Sequence, residues 1–306
     1  MTFNENARAS GNRVRVRSGG AGRGGKIALG GGAGGIVIVL LALLFGGGNA
    51  GDLLGALDGG GANNPSGEAV GTLEDCNTGA DANANIDCRV SMTADSLDAV
   101  WGSQLRAQTG VDYIQPGVDL FTGSVSTKCG NATSDVGPFY CPADSTAYFD
   151  TSFFQLLTER FGANAGPLAQ QYVVAHEVGH HIQNQLGDIR RAQQDPRGPE
   201  SGAVRTELQA DCYAGLWAHY ASTTPDAAGT PFLKQLTDSD IADALSAASA
   251  VGDDTIQSSA GGQVHPESWT HGSSAQRQLW FLAGYNTGSV QVCDTYSARD
   301  LDNPSY

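Results

Sequence analysis

Apolar residues recur at helical spacing along much of this 306-residue chain. Leu168, Tyr172, Ala175, Val178 and Ile182 fall three or four positions apart, which puts them on one helix face. Pro167 suits a first helical position and Gly187 a C-terminal stop, so the pattern predicts a helix over 167–186. Leu97, Val100, Trp101 and Leu105, with Asp95 as N-cap, predict another over 95–108. Residues 151–161, 204–217, the alanine-rich 238–251, and 273–283, stopped by Gly284, are read as further helices. Residues 111–125 and 147–149 are read as short strands, with Cys129 to Cys141 as a loop between them. The expected fold class is α+β: a mostly helical domain with a small β-sheet ahead of the 167–186 helix.

One stretch breaks the amphipathic pattern. Residues 27–45 are apolar and, as a helix, span about 28 Å, enough for a bilayer core. The basic residues Arg8, Arg13, Arg15, Arg17, Arg23 and Lys26 all precede it, which predicts a cytoplasmic N-terminus and an exported remainder. The expected organisation is a disordered basic cytoplasmic tail (1–26), a single transmembrane helix (27–45), a Gly-rich linker (46–69) and an extracytoplasmic domain (70–306) at the cell membrane. The other reading of this stretch is a cleaved signal peptide, with Gly48-Asn49-Ala50 as the small-residue cleavage site.

The formal net charge of −15 is uneven: the first 50 residues carry +5 and the remainder −20. A nucleic-acid backbone would repel so acidic a domain, so no nucleic-acid partner is expected. All six cysteines follow the apolar stretch, and an even number in an exported domain predicts three disulfides. Spacing suggests Cys76–Cys88 and Cys129–Cys141, and elimination leaves Cys212–Cys293; buried free thiols are the other reading.

The candidate chemistry lies on the 167–186 helix, in His176-Glu177-Val178-Gly179-His180. Residues four apart share a helix face, so His176 and His180 can point at one Zn2+, with Glu177 beside it to take a proton from water. A catalytic zinc usually has a third protein ligand, and Glu207 on the 204–217 helix is the candidate. The polar segment 188–200 reads as the loop of a helical hairpin that returns it. Asp211, one turn beyond, is placed to accept a hydrogen bond from the outer nitrogen of a ligand imidazole, that of His176. Taken alone, Glu207 and Asp211 read as a solvated acidic face.

Four blocks in order resemble the bacterial family of putative neutral zinc metallopeptidases. They are Cys129-Gly130 with Gly137-Pro138-Phe139-Tyr140-Cys141-Pro142-Ala143-Asp144; the box extended through His181-Ile182-Gln183; Glu207 through Gly215; and His265-Pro266-Glu267-Ser268 with Thr270-His271-Gly272-Ser273-Ser274 and Gln276-Arg277. The resemblance covers about residues 76–296. It implies a zincin-like fold of gluzincin type, with two His and one downstream Glu on zinc, and hydrolysis of peptide bonds. In such enzymes a downstream His, Tyr or Arg steadies the oxyanion. His271 is the candidate here, with Arg277 and His265 competing, although Arg277 is better suited to pairing with a carboxylate. The strand around Tyr148 is read either as a substrate-holding sheet edge or as an ordinary core strand. His181 points about 100° away from His180 and reads, like His219, as structural. The expected function is a zinc endopeptidase, with Glu177 as general base, acting on a peptide or protein. The alternatives are a non-catalytic membrane-tethered metal- or partner-binding module and a zinc amidase acting on cell-wall peptides.

Overall fold

The structure, a computed structural model, describes residues 2–11, 13–18 and 69–304. Its elements in order are β1 (Val14–Ser18), β2 (Ala69–Thr72), α1 (Gly79–Ala84), α2 (Ile86–Thr109), β3 (Gly117–Thr122), the hairpin β4 (Ser124–Thr127) and β5 (Gly130–Thr133), β6 (Phe139–Cys141), β7 (Thr146–Phe149), α3 (Phe153–Glu159), α4 (Pro167–Leu186), α5 (Gly202–Ala221), α6 (Asp238–Ala250), α7 (Asp253–Ser259) and α8 (Ser274–Thr287). Five strands form one sheet in the order β2-β1-β3-β7-β6. β1 runs parallel to β3 and β3 to β7, while β2 and β6 are antiparallel neighbours at the two edges. Tyr148 thus lies on an inner strand, its ring stacked on Phe139 at 5.0 Å. The edge strand β6 contacts α4.

The expected fold class needs correction. The molecule is a mixed helical and β structure with small sheets, and no helix among the described residues is long and apolar enough to cross a membrane. The stretch 27–45 read as a transmembrane helix lies outside the described residues, as does nearly all of the linker 46–69. Of the residues read as a disordered tail, 2–11 and 13–18 are part of the fold. Phe3 is fully buried, and β1 is an inner strand. The reason is charge pairing. Asp119, fully buried on β3, is held by Arg15 and Arg17 of β1. Arg13 Nε lies 3.1 Å from Asp98 on α2. These arginines answer buried acids rather than solvent, and a buried carboxylate without a partner costs several kcal/mol.

Element limits differ where a polar residue or glycine has a second use. α4 spans the predicted range. α2 begins at Ile86, because the Asn85 side chain caps it by accepting from the Asp87 and Cys88 amides. Asp95 is no cap but a buried acid that accepts the Ser10 amide. α8 runs past Gly284 to Gly288, whose φ of 59° ends it. Disulfides join Cys76 to Cys88, Cys129 to Cys141 and Cys212 to Cys293.

The core is built on α4 and α5, with α2, α6 and α8 packed around them. α5 and α8 meet at two glycines. A Cβ at Gly215 would lie 2.0 Å from the Phe281 carbonyl oxygen, and one at Gly284 would lie 1.9 Å from that of Cys212. Both obstacles are backbone, so neither can step aside. Gly284→Ala should therefore destabilise the protein by about 2–4 kcal/mol, through overpacking and helix displacement. Thermal or denaturant unfolding checks this. A change below about 0.5 kcal/mol would show that the helices are not in such close contact.

Candidate metal centre

α4 and α5 cross at Gly179. A Cβ there would approach Ala210 O at 3.0 Å, so the glycine inside the box lets the second helix come close. Ala210 sits between Glu207 and Asp211, and the crossing brings both acids to the histidines. His176, His180 and Glu207 offer ligand atoms that all lie within 4.8 Å of one another, and all three residues are buried. They are the only such metal-competent group among the described residues.

The tautomers are set from outside the cluster. His176 Nδ1 lies 2.8 Å from Asp211 Oδ1, a carboxylate that can only accept, so Nδ1 donates. His180 Nδ1 lies 2.8 Å from Gln183 Oε1, and the Gln183 amide nitrogen donates to Thr206 O and to Gln209 Oε1. Each ring is left with Nε2 as the nitrogen that faces Glu207. His176 Nε2 is 3.2 Å from Glu207 Oε2, and His180 Nε2 is 3.5 Å from Glu207 Oε1. A lone pair facing a carboxylate oxygen is repulsive unless a proton or a cation lies between them. Tetrahedral bonds of about 2.0–2.1 Å set ligand atoms roughly 3.3–3.4 Å apart, so the spacing fits a metal ion. Glu207 Oε1, buried without a hydrogen-bond partner, agrees with that role.

Electrostatics separate the two histidines. Burial alone would lower the His176 pKa, but the charge and hydrogen bond of Asp211, with Glu207, raise it to about 9. Burial lowers His180 to about 4, against the opposing pull of Glu207. Burial would raise Glu207, yet the neighbouring His180 and His271 hold it well below the usual carboxylate range. Asp211, fully buried, is likewise held low against its burial, chiefly by Arg277. Arg277 Nε donates to Asp211 Oδ2 at 2.8 Å and its Nη2 to Oδ1 at 3.0 Å, while the Tyr172 hydroxyl also donates to Oδ1. Arg277 is thus spent on a carboxylate rather than free for substrate.

His176, His180 and Glu207 line one cavity, which Glu177 also borders, and the Glu177 Oε2 is buried without a partner. Burial pushes its carboxyl up to about 7. His271 borders the cavity as well. Asp253 Oδ2 accepts the backbone amides of Thr270, His271 and Gly272 at 2.7, 2.7 and 3.1 Å, and its Oδ1 lies 3.4 Å from His271 Nδ1. His265 is exposed and paired with Glu267, away from the cavity. His181 is held between the Tyr140 hydroxyl and the Ile114 carbonyl, and His219 meets Tyr285 O. Sequence reading missed Gln183, Tyr172 and Asp253. Gln183 was findable as the residue three on from His180. Tyr172 read only as part of the apolar stripe, and nothing in the sequence ties Asp253 to a histidine 18 positions away.

A family model described as "Putative neutral zinc metallopeptidase" matches residues 1–296. The chain belongs to this family. Among relatives of this metallopeptidase-family chain, it is 57% identical over 230 residues to the uncharacterized protein Rv2575 of Mycobacterium tuberculosis, covering 75% of this chain and 77% of the relative. It is 41% identical over 206 residues to the uncharacterized protein YpfJ of Escherichia coli K12, covering 66% of this chain and 68% of the relative. No solved structure matches the chain significantly.

If Asp211 orients the His176 ring, Asp211→Asn should weaken Zn2+ binding about 10- to 100-fold. Competition titration against a chromophoric chelator measures this. Unchanged affinity would leave Asp211 a purely structural partner of Arg277.

Proposed function

We propose that this chain is a zinc-dependent endopeptidase. The observation that carries the reading is one cavity bordered by His176, His180 and Glu207, which could hold the metal, and by Glu177, whose buried Oε2 has no partner. A purely structural site has no use for a desolvated carboxylate beside it, whereas hydrolysis needs a base within reach of water. Zn2+ held there supplies Lewis-acid polarisation of a carbonyl and acidifies a water towards a pKa of about 7. Glu177 accepts the water proton at Oε2 and returns it to the leaving amine. His271, oriented through Nδ1 by Asp253 and Thr270, would in its imidazolium form offer Nε2–H to the oxygen on which negative charge develops.

Internal bonds are the expected target. Among the residues bordering the cavity, the one arginine is engaged by Asp211 and the two acids have roles already, so no spare charge is left to fix a free peptide terminus. Three disulfides support an oxidising, extracytoplasmic compartment and hence a peptide or protein substrate found there.

Glu177→Gln should keep one zinc per chain and lower peptide cleavage about 10²- to 10⁴-fold. Metal analysis and a casein or quenched-peptide assay on the same preparations test this. Cleavage at the wild-type rate by the variant would remove Glu177 from the mechanism and the reading with it.

A further inference from the structure

The cavity, about 80 Å3 in all, extends beyond the ligands as an apolar recess. Its remaining walls include Pro138, Phe153, Phe161, Val173, Val251 and Ile256, with no charged side chain among these six. They come from separate parts of the chain: the turn before β6, α3, the segment after it, α4, and the residues around α7. Phe153 is set by Gly137, whose φ of 79° turns the chain so that a Cβ there would touch the ring at 3.2 Å. The recess is thus a shaped pocket that opens on the metal ligands and on Glu177. A peptide whose carbonyl meets those groups must place a neighbouring side chain against these walls.

We propose that this recess is a specificity subsite for one bulky apolar side chain, Leu- or Phe-like, next to the scissile bond; this rests on the peptidase reading above. A charged side chain would lose its water there and find no partner, while a small one would leave the walls unfilled. The test uses the full-length zinc-loaded protein and a series of amino-acid hydroxamates with methyl, isobutyl, benzyl and carboxymethyl side chains. Calorimetry measures binding, with the metal-free protein as control. The isobutyl and benzyl members should bind about 10- to 100-fold tighter than the methyl one, and the carboxymethyl member most weakly. A flat series, or preference for the charged member, overturns the proposal. Graded binding without cleavage of any peptide carrying the same side chains leaves the subsite standing and removes the peptidase reading.

A second inference rests on the N-terminal segment and not on catalysis. Thr2 Oγ1 donates to Gln171 of α4 at 2.6 Å, Phe3 fills a buried socket, and the Arg8 amide donates to Asp226 at 2.7 Å. Ser10, Arg13, Arg15 and Arg17 then meet Asp95, Asp98 and Asp119. Arg17 of β1 pairs with Ala69 of β2, so the chain leaves the fold and returns to it at adjacent strand positions. We infer that residues 2–18 and 69–304 fold as one body on one side of any membrane, which a single crossing between them would forbid.

Full-length Asn6→Cys and Asp302→Cys proteins, both changed at exposed positions, test this in intact and permeabilised cells with an impermeant maleimide. Both should be labelled from the same side. Labelling from opposite sides, or a mature chain lacking residue 6, overturns the inference.

Discussion

A single buried carboxylate organises this molecule. Asp211 is fully buried and takes donors from the Arg277 guanidinium, the Tyr172 hydroxyl and the His176 ring. The four residues belong to α4, α5 and α8. Removing one partner of such a buried charge typically costs about 3–5 kcal/mol because the charge left behind is unpaired, so the three helices cannot part here without that penalty. The same group fixes the His176 tautomer. Fold and site therefore cannot be varied separately here: the ion pair that draws the helices together also aims the imidazole.

The two imidazoles of the box are equal in sequence and unequal in place. His176 leans on a charged oxygen, His180 on the neutral amide of Gln183. The first is held more basic by the Asp211 charge against its burial, and the second is made less basic by burial. Glu207 spans both, one oxygen towards each. The group that could hold a metal therefore offers one nitrogen backed by a carboxylate, one backed by an amide, and a carboxylate, three donors with different surroundings.

Much of this was legible in the sequence, for identifiable reasons. α4 could be read because its stripe, Pro167 and Gly187 agree on one answer. His176, His180, Glu207 and Asp211 could be picked out because helical periodicity alone puts each pair on one face. Reading failed where a residue has a tertiary purpose that imitates a local one. Gly284 resembles a helix stop, but it is a contact point for the Cys212 carbonyl. Asp95 resembles a cap and instead answers Ser10. The N-terminal arginines look like a solvated run, because nothing in the local sequence says that Asp98 and Asp119 await them some 85–105 positions later. Asp253 is hidden for the same reason: its work is to hold a distant loop.

The disulfides carry a temporal consequence. Two close short intervals of 12 residues, whereas Cys212 and Cys293 are 81 apart. Chain entropy disfavours the long closure in an unordered chain by about 2 kcal/mol more than the short ones, a cost that falls away once α5 and the C-terminal segment have met. Cys212 directly follows Asp211. Closure at this pair is therefore easiest once the helix that carries Glu207 and Asp211 already lies beside the C-terminal segment.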